Sequence, residues 1–258
     1  MDQAEKVNIM KKINLLSVKL FSFILLMLLW EIIALYLNVN TFPSMTEILT
    51  TLTTEIKDGE IFHHLFVTLY RVFVSFFLAM LIGTIIGIIM GNNKRVDNIL
   101  DGWNILFLNI PALVIIILSY VWFGLTEIAA IIAVSLNKIP NVIVTIREGA
   151  RTIDRNILEI AYVYKIHNIR KFFSFYLPQL YPYIIAAARG GIALIWKIVL
   201  VVELLGRSNG IGFKLHEFFQ FFDIASILAY TFAFVLVMLF IENFLFQPFD
   251  NKLNKWRF

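Results

Sequence analysis

Arg189, Trp196 and Glu203 recur every seventh residue within one strongly apolar run, with Lys197 beside Trp196. Seven residues make about two helical turns, so these three share one stripe, and Lys197 lies about 100° further round. A charge in hydrocarbon costs about 2.5–3.5 kcal/mol on insertion scales, so a polar stripe seldom faces lipid. Two arrangements satisfy it: the stripe lines a polar pathway, with Lys197 the deepest charge and the one placed to meet a crossing anion, or it is an interior stripe whose Arg189 and Glu203 reach opposite interfaces. Glu31 and Arg71 stand near opposite ends of their own apolar runs and are expected to snorkel to water there.

The parts needed for catalysis are missing. No G-x-x-x-x-G-K-[ST] loop occurs, so ATP hydrolysis is not expected of this chain. Asn209-Gly210-Ile211-Gly212 has neither the lysine nor the strand-to-helix setting of a phosphate loop and reads as a turn. The neighbours His63 and His64 point in different directions with no carboxylate cluster beside them, which predicts a structural pair rather than a metal site. Ser, His and Asp are scattered without a nucleophile elbow. The expectation is a non-enzyme with no cofactor or metal of its own.

The elements that must position these residues are set by composition. Of 258 residues, 60% are hydrophobic and only 16% charged, and mean hydropathy is +0.81, which departs from a soluble domain in both directions. At about 20 apolar residues per helical crossing, the length allows six or seven crossings and little else. The formal charge of +4 fits basic loops beside anionic lipid better than nucleic acid. Without cysteine, disulfides and thiolate metal sites are excluded.

Six helical spans are predicted, since an open strand cannot satisfy its backbone in lipid. They run at about 19–37, 65–90, 99–122, 127–146, 183–205 and 224–246. The first reads as an uncleaved anchor, because no small-residue cleavage site follows its apolar run. Between the first two spans, Ser44-Met45-Thr46-Glu47 has capping-box spacing, Ile48, Leu52 and Ile56 share a face, and Gly59 is the expected stop of a short surface helix. Gly83, Gly87 and Gly91 clear one face of the second span for close packing. Pro111 should kink or interrupt the third span, and Asn137-Lys138-Ile139-Pro140 should interrupt the fourth. Putting both termini, the turn at 92–97 and the loop at 147–182 on one side gathers 15 of the 22 Lys and Arg there, which makes that side cytoplasmic. The segment Glu159–Pro178, EIAYVYKIHNIRKFFSFYLP, is then a polar cytoplasmic stretch between apolar spans, a form suited to meeting a soluble partner.

Glu159-Ile160-Ala161, followed at the right spacing by Leu177-Pro178, resembles the EAA signature of permease subunits of binding-protein-dependent ABC importers. Phe42-Pro43-Ser44, His64–Arg71 (HLFVTLYR), Asn109-Ile110-Pro111-Ala112, Trp122-Phe123-Gly124, Arg147-Glu148-Gly149-Ala150, Val202-Glu203 and Gly210-Ile211-Gly212 are similar, in order, to the nitrate/sulfonate/taurine/bicarbonate branch. The resemblance covers about residues 41–256. It implies an all-α integral membrane protein with six transmembrane helices and the type I ABC importer permease fold, forming one permease domain over residues 1–258 in a bacterial inner membrane, multi-pass with both termini cytoplasmic. It further implies a coupling loop at 148–182, in which Glu159 and Ala161 lie on a helix entering a cleft of the ATPase and Leu177 and Pro178 close the loop. Implied partners are an ABC ATPase subunit carrying ATP and Mg, a periplasmic or lipid-anchored solute-binding protein, a second permease copy as a homodimer, and membrane lipid. Where the family usually has glycine six residues after the Glu, this chain has Lys165, so a different bend or a continued helix is expected there.

The implied cargo is a small anion such as nitrate, a sulfonate, taurine or bicarbonate. The alternative within the family is a thiamine-precursor pyrimidine, riboflavin or another aromatic solute, and the 25 Phe do not decide between them. Outside the family stand an ATPase-independent channel or carrier, for which no clear inverted repeat is visible, and a non-transporting scaffold or sensor.

Overall fold

The computed structural model describes the backbone of residues 3–39 and 41–241, and their side chains except at 3–17, 19, 20 and 58. Among the described residues eleven α-helices follow one another: α1 Gln3–Leu37, α2 Met45–Asp58, α3 Glu60–Asn92, α4 Lys94–Asn109, α5 Ala112–Phe123, α6 Glu127–Arg151, α7 Arg155–Val163, α8 Asn168–Lys171, α9 Leu177–Gly206, α10 Ile211–Gln220 and α11 Ile224–Ile241. A π-helical turn, Phe172–Tyr176, joins α8 to α9. No strand occurs among the described residues. Packing divides the described residues into one unit that runs up to residue 61 and includes 217–233, and another of residues 62–216 with 234–241.

Among the described residues, four helical runs are long and apolar enough to cross a membrane: α3, α6, the continuous run Asn168–Gly206, and α11. The pair α4 and α5 is long and apolar enough when taken together, but is bent by 97° at its break, the form of a broken span or a re-entrant loop. The apolar part of α1 is the shorter stretch Phe21–Leu37. The predicted end of the last span, at 242–246, lies outside the described residues, as do the basic side chains of both termini.

Two details differ from the sequence-based expectation and one follows it. The third span is interrupted at Pro111, as expected, into two helices. Pro111 supplies no N–H and disfavours helical backbone in the residue before it; Ile110 is accordingly extended (φ −73°, ψ 125°), and Pro111 becomes the N-cap of α5. The fourth span is not interrupted, because α6 runs through Pro140. Pro140 is buried between packed helices, the setting in which a membrane helix tolerates proline. Leu177-Pro178 does not end a loop but lies within the run Asn168–Gly206. The backbone accommodates the missing proline donor with the preceding π turn, where the Leu177 N–H bonds to the Phe172 carbonyl, a wider spacing than the α-helical one.

In the first unit, α2 is fixed from both sides of its start. The Ser44 hydroxyl accepts the Glu47 N–H at 3.1 Å, and Gly59 (φ 80°) closes the other end. Glu31 is half-buried and held by α2: its carboxylate accepts the Met45 N–H at 2.6 Å and the Thr46 hydroxyl at 3.1 Å, where the N-terminus of α2 favours negative charge. Trp30 donates to the Pro43 carbonyl at 3.0 Å and stacks on Phe42 at 4.4 Å. Phe42-Pro43-Ser44 is therefore the joint between α1 and α2.

In the second unit, α6 packs chiefly against α9. Val142, Ile146 and Ala150 form a closed core with Tyr176, Leu180 and Ala187. The same α6 residues meet the glycines of α3: a Cβ on Gly83 would fall 2.6 Å from Val142 Cβ, one on Gly87 2.8 Å from Ile146 Cβ, and one on Gly91 2.5 Å from Ala150 Cβ. Both rows advance by four residues, so ridges of α6 lie in a groove of α3 that any side chain would fill.

Candidate functional site: a buried ion-pair cluster and an exposed short helix

Glu127 begins α6 and Arg147 lies near its end, about 30 Å away at 1.5 Å per residue, close to the thickness of a bilayer's hydrocarbon core, about 30 Å. An ion-pair cluster surrounds each of them.

The cluster at the Glu127 end centres on Arg71, which is 1% exposed. The expected snorkelling of this residue does not occur. All five guanidinium donors are used: Nε and one Nη bind the two oxygens of Glu127 at 2.6 and 2.9 Å, the other Nη binds Glu203 at 2.7 Å, and the Asn209 carbonyl and side-chain oxygen accept at 2.9 and 2.5 Å. Glu203 is fully buried and accepts from Thr68 at 2.9 Å and from the Gly212 N–H at 2.8 Å. Thr68 accepts the Ile211 N–H at 2.8 Å, and the buried His64 accepts the Gly210 N–H at 3.0 Å. Arg207 closes the network on Glu127 at 2.8 Å and on the Leu125 carbonyl at 2.6 Å. A buried carboxylate–guanidinium pair repays its desolvation only with good geometry and further hydrogen bonds; Arg71 uses all its donors here and Glu203 accepts three hydrogen bonds.

Glycine at positions 210 and 212 follows from this geometry. Gly210 has φ 107°, and a Cβ there would run into the Glu203 carboxylate, whereas one at Gly212 would collide with the Leu200 carbonyl and with Glu203 Cβ. His64–Arg71, Val202-Glu203 and Gly210-Ile211-Gly212, far apart in sequence, thus form one construction. Its signal was present in the 4,3 spacing of His64, Thr68 and Arg71, which puts all three on one helical face.

At the opposite end, Arg147 and Arg151 of α6 pair with Asp97 of α4, and Arg147 also with Asp101. Glu148 bridges to both arginines, at 3.4 and 2.9 Å. Asn92 donates to the Tyr176 hydroxyl at 2.6 Å, so the end of α3 is tied to the π turn.

From this end emerges α7. Asp154 caps it, accepting the Asn156 N–H at 2.8 Å, and its own N–H is held by Gln179 at 2.9 Å. Ala161 is fully buried, whereas Glu159 is exposed. Ile160, Tyr162, Val163 and Tyr164 are 54–78% exposed, a concentration of large apolar surface uncommon on a nine-residue helix unless something covers it. The helix stops in a Schellman turn, with the Ile166 N–H on the Ala161 carbonyl at 3.0 Å and the Lys165 N–H on the Tyr162 carbonyl at 2.9 Å. Lys165 occupies the left-handed position at φ 52°. The helix does not continue past it; the two hydrogen bonds hold a lysine in the conformation that glycine adopts freely.

The stripe Arg189, Trp196, Glu203 is divided between environments. Glu203 belongs to the buried cluster, Trp196 is half-buried with its ring 5.5 Å edge-on from Phe234, and Arg189 is exposed. Lys197 is exposed, its ammonium 5.5 Å from the Trp196 ring centroid, within cation–π range. Leu177 is half-buried and Pro178 exposed. Among the described residues, no group of three His, Asp or Glu is arranged to hold a metal.

These helices and their motifs define a multi-pass membrane permease. The fold is shared with a chain of the crystal structure of an amino acid ABC transporter with histidines, at a TM-score of 0.60 and 19% identity, over 78% of this chain and 97% of the other. Residues 79–247 match the binding-protein-dependent transport system inner membrane component family, and the chain belongs to it. Among its relatives are an aliphatic sulfonates transport permease protein of Bacillus subtilis, 28% identical over 89% of this chain and 83% of the relative, and a taurine transport system permease protein of Escherichia coli, 25% identical over 90% and 86%. A nitrate import permease protein of Synechocystis is 26% identical over 70% and 66%.

Proposed function

We propose that this chain is the solute-conducting subunit of an ATP-driven importer in a bacterial inner membrane, with both termini cytoplasmic and a small anion such as a sulfonate, taurine, nitrate or bicarbonate as cargo. The observation that carries this reading is α7. It is a short capped helix whose small Ala161 is turned inward, while Glu159 and the large side chains Ile160, Tyr162, Val163 and Tyr164 are offered outward, at the position where the family signature puts its coupling helix.

In this reading residues 148–182 form the coupling segment of a single permease domain. ATP and Mg are bound by a separate ATPase subunit, and the chain itself performs no catalysis. Closure of the ATPase pulls on α7, whose base is tied through Gln179 to α9 and through the Arg147–Asp97 pairs to α4. A second copy completes the pathway, and a solute-binding protein delivers cargo from the other side. Driving the bundle between two states requires contacts of different free energy in each, and α7 is where the partner supplies them. The sulfonate, taurine and nitrate names among the relatives support an anion; an aromatic cargo is the second reading, favoured only by the relatedness of permeases within the wider family.

Reconstitution into proteoliposomes tests this. Uptake of taurine or nitrate should require ATP, the ATPase and the binding protein together. Solute flux through this chain alone would make it a channel or carrier instead.

A further inference from the structure

Lys138 lies near the middle of α6, about 16 Å of helix rise from Glu127 and about 14 Å from Arg147, and so near mid-membrane between the two ion-pair clusters. The residue is 5% exposed. It makes no hydrogen bond or ion pair among the described residues, and no charged neighbour acts on it. Intramembrane cations normally find a partner, yet every carboxylate between residues 62 and 216 is placed elsewhere. Glu127 and Glu203 are held by Arg71; Asp97, Asp101 and Glu148 are held by Arg147 and Arg151; Asp154 caps α7, and Glu159 is exposed on it.

The neighbouring helix α9 makes room for this lysine. A Cβ on Gly191 of α9 would fall 2.8 Å from Lys138 Cε and 3.5 Å from Nζ, so the ammonium passes over a bare stretch of helix. The adjacent Gly190 is exposed, and no atom lies within 4 Å of where its side chain would begin. Next to the lysine, α9 therefore presents two residues without side chains, one against the ammonium and one open.

We propose that Lys138 is an anion-binding residue inside the permease, its ammonium above the Gly190-Gly191 step pairing with the negative group of a solute that enters the bundle. This rests on the importer reading and narrows its cargo to an anion. Lys138 supplies at mid-membrane the counter-charge that an anion lacks there, and because it has no partner among the described residues, binding the solute breaks no ion pair among them. A lysine kept only to fill space would be replaceable by methionine, which has a similar shape and no charge.

The full-length protein in lipid nanodiscs is titrated with sodium ethanesulfonate, and its thermal unfolding midpoint is compared with that in sodium chloride of equal ionic strength. The wild-type midpoint should rise saturably, Lys138→Arg should retain the response, and Lys138→Met should lose it or need about tenfold more ligand, as expected when one charge-assisted contact is removed. Gly191→Ala keeps the lysine but crowds its Cε and should weaken the response as well, which keeps the proposal testable if Lys138→Met fails to fold. A wild-type protein that responds no more to ethanesulfonate than to chloride overturns the proposal, as does an equal response in Lys138→Met or, should that variant not fold, in Gly191→Ala. The importer reading is judged separately by whether loaded binding protein stimulates ATP hydrolysis in the assembled wild-type complex. Stimulation without any dependence of anion binding on Lys138 removes only the present proposal, whereas absence of stimulation removes the importer reading.

Discussion

Arg71 on α3 donates to Glu203 on α9 at 2.7 Å, with 1% of the arginine and none of the glutamate side chain open to solvent. The pair joins two helices 132 residues apart in sequence and fixes the turn Asn209–Gly212 above them.

Removing one partner leaves the other charged and buried. Arg71→Met and Glu203→Leu should each destabilise the protein by about 3–5 kcal/mol, and the double variant should be less destabilised than the sum of the two. Denaturant unfolding in detergent micelles measures the cycle, and additive losses would mean that the pair is not the unit holding this end together.

The glycine groove of α3 predicts a contrast between two substitutions. Gly87→Leu must displace Ile146 and should cost at least about 1–3 kcal/mol by overpacking. Gly102→Ala meets nothing within 4 Å inside α4 and should stabilise by about 0.5–1 kcal/mol through helix propensity. Unfolding midpoints of the two variants should move in opposite directions.

Part of this structure was legible in sequence and part was not, and the division follows range. Local rules placed α2 with Ser44 and Gly59 at its ends, the packing stripe Gly83, Gly87 and Gly91, and the break at Pro111, because caps, small-residue spacing and proline act within a few residues. Their extent was harder to read: Pro111 separates two helices by a right angle, while Pro140 leaves α6 intact because its neighbours hold it. The Arg71 cluster was not legible as a cluster, since its partners lie 56 to 138 residues away. An arginine near a span end looks the same in sequence whether it reaches water or a buried glutamate. Glu31 misled for the same reason, its partner being the start of α2. Lys165 shows the converse, since local propensity argues against left-handed backbone at a lysine and the hydrogen bonds of the turn prevail.

Lys165 carries its own prediction. Left-handed backbone costs an L-residue about 1–2 kcal/mol, partly offset by the greater freedom that glycine has in the unfolded chain, so Lys165→Gly should be neutral or stabilising by up to about 1 kcal/mol. Lys165→Val, whose β-branch suits this conformation worst, should destabilise the turn. Amide exchange at Ile166, whose N–H closes the Schellman turn on Ala161, should slow or hold in the first variant and accelerate in the second.

The most direct test of the central claim is a charge reversal on α7. In proteoliposomes containing the permease, its ATPase and its binding protein, Glu159→Lys should leave the permease inserted and folded but abolish the stimulation of ATP hydrolysis by loaded binding protein, because Glu159 is exposed on the helix proposed to meet the ATPase. Stimulation equal to wild type would contradict the assignment of α7 as the coupling helix.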